Sequence, residues 1–192
     1  LLHRYPSIRF VVAGSSSNCH DGEVERKGNC VLTAIRQKKL ISLSSDGEDY
    51  SFADTETYTK NKPVIVATSR RKHHRWRLEK GQIETYALGS SLDARMSWWE
   101  RLNITKRELF VNTFGDASTF CALICEDLAR TDPVHSVLKA VAPSMVFALL
   151  MDGPQIAERW SGRYALGLTE DPGSSVLTFT SLALIERSNM TR

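Results

Sequence analysis

The decapeptide CALICEDLAR, residues 121–130, ends an apolar run on a cysteine, Cys125, and sets two acids, Glu126 and Asp127, directly behind it. A thiol at a strand-to-helix turn faces the crevice at the strand's end, and the backbone N–H groups of the following turn point the same way. Cys125 in that position is a candidate nucleophile, with the Glu126 N–H as a donor to a developing oxyanion. A free thiol has a pKa of about 8.5, so it needs help to ionise. That help comes from a helix N-terminus, a nearby lysine or a base. The other reading of Cys125 is a small core residue, since cysteine is among the most buried residue types. The decapeptide alone leaves both open.

Other reactive side chains group less well. Cys19, His20, Cys30, His73 and His74 follow no metal-ligand spacing, so no metal is expected. A Cys–His pair of Cys125 with His135, ten positions on, would need the chain to double back. The basic segment SRRKHHRWRLEKG, residues 69–81, interleaves cations with Trp76. It reads as a solvated loop in preference to a surface for nucleic acid.

The elements that must position these groups follow from hydrophobic pattern. IRFVVAG (8–14) and CVLTAIRQ (30–37) read as strands, and KKLISLSSDGEDYSF (38–52) as a third strand with an Asp-Gly turn, forming a hairpin. Residues 53–85 are mixed and polar. Strand-like pieces are expected near 107–114, a buried strand over 118–125, and a helix over 128–143 interrupted early by Pro133. SMVFALLMDG (144–153) is another buried strand ending at an Asp-Gly turn. Residues 154–171 read as a helix, with Pro154 near its start and Ile156, Trp160, Tyr164 and Leu168 at every fourth position. Residues 174–188 read as a closing strand. Strands alternating with helices predict an α/β architecture in one domain spanning 1–192.

The composition permits this. With 192 residues, 42% hydrophobic and 24% charged, the chain can build one core. A net charge of +3 does not demand a polyanionic partner. No apolar run reaches the roughly 20 residues of a membrane span. Four cysteines in a chain with its own core, and no leader-like start, predict a reducing, cytoplasmic setting.

LICEDLAR resembles the nucleophile segment of the nitrilase, or carbon–nitrogen hydrolase, superfamily, and its Cys-Glu-Asp version is most similar to the glutaminase- and amidase-type branches. Looser matches run in order along the chain: IRFVVAGSSS with GNCVLTAI, then RRKHHRW, GQIETYALG and DGPQIAERWSGRYALGLTED. The resemblance implies a four-layer αββα sandwich whose first strands precede this chain. It implies a Glu–Lys–Cys triad in which Cys125 attacks the carbon of a small amide or nitrile to give a thioester or thioimidate. Lys72, which precedes His73 and His74, fills the lysine position, with Lys60 of TYTKNKP as the alternative. Glu84 matches a second glutamate that supports the lysine and the base. Asp127 orients the turn behind the nucleophile, and Asp152 with Gly153 lines the pocket mouth or simply ends a strand. The family's base glutamate precedes the strand at 8–14. Glu23 and Glu25 follow that strand and do not fit, so the base is not identified in this chain.

Two readings compete. One is a nitrilase-type amidohydrolase that works without metal or organic cofactor, with a homo-oligomer as a further expectation. The other is a catalytically reduced nitrilase-like module of a larger protein, used for assembly or ligand sensing. The basic loop and the Trp98–Trp99 pair favour a fused domain, and 171–188 is weakly similar to the nitrilase-like part of bacterial reverse transcriptases of phage defence.

Overall fold

The structure, a computed structural model, describes residues 1–14, 19–20, 23–24, 30–37, 64–102, 105, 107–115 and 117–190. Its strands are β1 (Phe10–Gly14), β2 (Cys19–His20), β3 (Glu23–Val24), β4 (Cys30–Gln37), β5 (Val64–Arg71), β6 (Arg77–Leu78), β7 (Trp98–Trp99), β8 (Asn112–Phe114), β9 (Ser118–Ile124), β10 (Met145–Leu149) and β11 (Ser175–Phe179). Its helices are α1 (Lys80–Thr85), α2 (Ser136–Val141), α3 (Trp160–Glu170) and α4 (Leu182–Met190).

Two sheets carry the fold. In the first, β1, β4 and β5 run antiparallel in that order. In the second, the order is β11-β10-β9-β8: β9, β10 and β11 are parallel, and β8 is an antiparallel edge. Parallel neighbours need crossovers, which α2 supplies between β9 and β10 and α3 between β10 and β11. The result is a mixed α/β fold, as the alternation of elements predicts.

Period-two alternation splits the central strands between two cores. Cys121, Leu123, Val146 and Ala148 face one way and pack with Leu128, Leu138 and Leu168 from the helical side. Phe120, Ala122, Ile124 and Phe147 face the other way and pack on Val31 and Ile35 of β4. Phe10 joins this second core, with its ring centroid 4.9 Å from Phe120 and 5.1 Å from Phe114. Such aromatic pairs contribute about 0.5–1.5 kcal/mol beyond burial. The described residues thus stack in three layers: helices, the four-stranded sheet and the three-stranded sheet.

Several expectations shift. The segment 38–52 lies outside the described residues, and within them β4 pairs with β5, from the stretch read as mixed and polar. Between 107 and 114 only Asn112–Phe114 is strand. The helix expected over 128–143 is shortened to α2. Pro133 disfavours helical backbone at the residue before it, and Asp132 is extended at φ −122°, ψ 127°. The helix expected from 154 starts at Trp160. Residues before it cross its first turn so closely that a Cβ on Gly162 would stand 2.3 Å from the Ile156 carbonyl oxygen. The closing strand over 174–188 is corrected to β11 followed by α4. The alternation stops at Phe179, and LALIERSNM carries a helical run of good helix formers.

Candidate functional site

Cys125 follows β9 directly and is 7% exposed. Its φ is +47°, the left-handed region. That conformation costs a non-glycine residue about 1–2 kcal/mol, and strain of this kind gathers at functional positions. The turn Cys125–Ala129 that follows is a short 3-10 helix. Its first N–H groups, that of Glu126 included, have no partner within the turn. The thiol sits at the carboxyl end of the parallel sheet. There the segment after β10 delivers the Met151 N–H to the sulfur, and Thr180, just past β11, donates its hydroxyl to the Asp152 carbonyl.

Lys72 enters from the other sheet, one residue beyond β5. It is 2% exposed, and its Nζ pairs with the Glu100 carboxylate. Glu100 also accepts the Trp76 N–H at 3.2 Å. Three influences compete at the thiol. Burial raises the Cys125 pKa most, the Lys72 charge and the Met151 N–H lower it, and the Glu126 and Glu100 charges raise it again. The balance is a pKa above the ordinary value. Tyr86 closes another side. Burial and the charges of Asp152 and Cys125 push its phenol up to about 12, so it stays a donor. Its hydroxyl lies 3.3 Å from the Met151 carbonyl and 3.5 Å from Asp152 Oδ1.

Asp127 ties the two halves together. It is fully buried and accepts five hydrogen bonds. Oδ2 takes Arg70 Nη1 and Nη2, each at 3.1 Å. Oδ1 takes the His73 N–H, the His74 N–H and His74 Nδ1, each at 3.0 Å. Burial works to raise the Asp127 pKa, but the His74 hydrogen bond and the Arg70 charge outweigh it and hold the carboxyl below its usual range. Residues 70, 73 and 74 flank Lys72, so this carboxylate, two positions past Cys125, fixes the lysine's backbone beside the nucleophile turn. His73 completes the network as a neutral ring. Its Nε2 accepts the Glu108 N–H at 2.9 Å, and burial and Arg70 lower its pKa.

The remaining expected residues divide. Glu84 does not join the cluster: its side chain is 60% exposed on α1 and pairs with Lys80 at 3.8 Å, while Ile83 is the residue that helix buries. Glu100, which the sequence reading missed, stands beside the lysine instead. Its signal was an acid inside the aromatic run WWERL. Tyr86 and Arg70 were missed as well. Glu126 pairs with Arg130 at 3.4 Å and offers the site its N–H. Asp152 is 1% exposed and holds Gly153 N–H at 2.8 Å, Arg159 Nη2 at 2.5 Å and Ser161 Oγ at 3.1 Å. It therefore braces the loop that aims the Met151 N–H at the thiol. His135 turns away: its Nε2 lies 2.7 Å from the Leu128 carbonyl. Lys60, Glu25 and the side chains of Cys19, His20 and Glu23 lie outside the described residues. Among the described residues no three ligating side chains gather for a metal, and no helix is long and apolar enough to cross a membrane. Compared with family models, curated proteins and solved structures, the chain finds no match in any of the three.

Proposed function

We propose that Cys125 is the nucleophile of a nitrilase-type carbon–nitrogen hydrolase acting on a small amide or nitrile. The observation that carries the reading is one juxtaposition. A cysteine held in a left-handed turn at a strand end has a buried lysine–glutamate pair, Lys72–Glu100, beside it. For an amide, the sulfur forms a bond to the carbonyl carbon and the π pair moves to oxygen. Lys72 and the Glu126 N–H hold that oxyanion. The C–N bond then breaks, the amine leaves with a proton, and water hydrolyses the thioester. Glu100 holds the ammonium in place, the part the resemblance gave to Glu84. Because burial leaves the thiol protonated at neutral pH, its proton needs an acceptor. Glu100 and Glu126 are each engaged by a cation. In this reading the acceptor is a carboxylate other than these two, and the three layers belong to the four-layer αββα sandwich that the resemblance implies.

The raised thiol pKa also favours a second reading: a module that keeps the geometry for binding or assembly within a larger chain and turns over little. Intact-mass spectrometry separates the two after incubation with a p-nitrophenyl ester and a panel of small amides. A covalent acyl adduct on Cys125 that decays with time supports the hydrolase. An adduct that forms and persists supports the reduced module. Labelling of Cys125 by chloroacetamide no faster than Cys30 and Cys121, and unchanged by Lys72→Met, would sink the nucleophile assignment itself.

A further inference from the structure

The basic segment read as a solvated loop instead runs from the end of β5 through β6, one strand of a two-stranded ribbon, to the start of α1. β6 pairs antiparallel with β7 in the register Arg77↔Trp99 and Leu78↔Trp98. The pairing continues one step, since the Glu100 N–H donates to the Trp76 carbonyl at 2.9 Å. Alternation then sorts the side chains. Trp76, Leu78, Trp98, Glu100 and Leu102 turn inward, toward Lys72. Arg75, Arg77, Trp99 and Arg101 are all exposed on the outer face.

That face carries three guanidinium groups around an indole that is 60% exposed. Arg77 lies 5.9 Å from the Trp99 ring centroid and pairs with Glu79 at 3.2 Å. Arg75 reaches the Leu102 carbonyl at 3.4 Å. Among the described residues, no carboxylate pairs with Arg75 or Arg101. Following the register, those two arginines stand opposite each other, and like charges directly opposite on a ribbon are destabilising. Stability therefore gives no reason for the arrangement, whereas an anion lying across it would relieve the repulsion.

We propose that this outer face binds single-stranded nucleic acid. Phosphates lie against Arg75 and Arg101, and one base stacks on the Trp99 face opposite the one that Arg77 lies over. The indole decides between polyanions: an acidic peptide has no use for an open π-face, and a paired duplex hides its base faces, whereas an unpaired base stacks on it.

The test is fluorescence anisotropy of the full chain with fluorescein-labelled dT12 and rU12 at low salt, with quenching of tryptophan emission read in parallel. Trp99→Ala is expected to weaken binding about tenfold, and Trp99→Phe to recover most of it. Arg75→Ala with Arg101→Ala is expected to weaken binding and to flatten the salt dependence by about 1.4 in log–log slope. The variants sit on an exposed face, and circular dichroism checks that they fold. Failure of both oligonucleotides to bind would overturn the proposal. So would equal affinity for a duplex of the same length, or equal competition by polyglutamate. Binding that Trp99→Ala leaves unchanged overturns it as well.

Discussion

Asp127→Asn removes one charge and changes one atom pair, and the structure says what each does. Asn keeps Oδ1 for the three donors of residues 73 and 74 but turns an NH2 group toward Arg70. That guanidinium is 3% exposed and would lose both of its hydrogen bonds to the carboxylate, keeping only the Ala122 carbonyl at 2.8 Å as a strong acceptor. Stranding one member of a buried ion pair costs about 3–5 kcal/mol. Adding Arg70→Met removes the stranded charge, and a buried pair replaced by apolar groups of similar volume is close to neutral. The double variant is therefore expected to recover at least half of the loss. Urea unfolding measures both, through the midpoint at unchanged slope. A loss under about 1 kcal/mol for Asp127→Asn, or a double variant no more stable than the single, would refute the account of Asp127 as the clasp between the sheets. The sign with pH is fixed too. The folded pKa of Asp127 lies below its unfolded value, so its contribution is complete above about pH 3.9. That contribution is lost as pH falls from there through the folded pKa.

The other expectations concern neighbouring groups. The folded pKa of His73 is lowered, so its contribution is complete above its unfolded pKa of about 6.5 and is lost as pH falls toward the folded value. His73→Gln keeps an acceptor for the Glu108 N–H and should flatten the fall in thermal midpoint between about pH 6.5 and 5; an unchanged slope speaks against it. Glu100→Gln is expected to speed chloroacetamide labelling of Cys125, because the Glu100 charge raises the thiol's pKa against the pull of Lys72, while Glu84→Gln leaves the rate alone. Equal effects would put Glu84 back beside the lysine. At position 125, glycine should be more stable than alanine by about 1 kcal/mol, since it accepts the left-handed backbone freely. Denaturant midpoints of Cys125→Gly and Cys125→Ala decide this, and the ordinary order with alanine ahead would mean that the turn relaxes.

Legibility in the sequence followed the range of the interactions. β9 and β10 are continuous apolar runs, buried on both faces, and such runs announce themselves. β5 did not, because VIVATSRR becomes polar toward the site, where Arg70 reaches Asp127 across 57 positions. The turn behind Cys125 was legible because local: strand, cysteine, two acids. The partner of Lys72 was not. Glu84 is nearer to Lys72 in sequence than Glu100, which lies 28 positions on, and only the exposure of α1 and the inward turn of the β6–β7 ribbon reverse that order. The same ribbon inverted the roles of the tryptophans. The sequence reading set Trp76 among the cations, whereas pairing turns it inward and leaves Trp99 outside.

The costs on the chain point to a single place. Left-handed backbone at Cys125 disfavours the fold by about 1–2 kcal/mol, where glycine would not. A buried pair such as Lys72–Glu100 is often neutral or stabilising by about 1–4 kcal/mol when replaced by apolar residues. Burial also holds the thiol above its ordinary pKa against the pull of Lys72. Each feature alone has a bland explanation. Together they occupy the carboxyl end of β9, the end of β5 and the inner face of one ribbon, and Asp127 spends five hydrogen bonds keeping two of those segments in register. Selection for packing alone would favour glycine at 125 and an apolar residue at 72. A thiol and an ammonium there, at a cost in stability, fit the proposed attack on an electrophile that arrives between them.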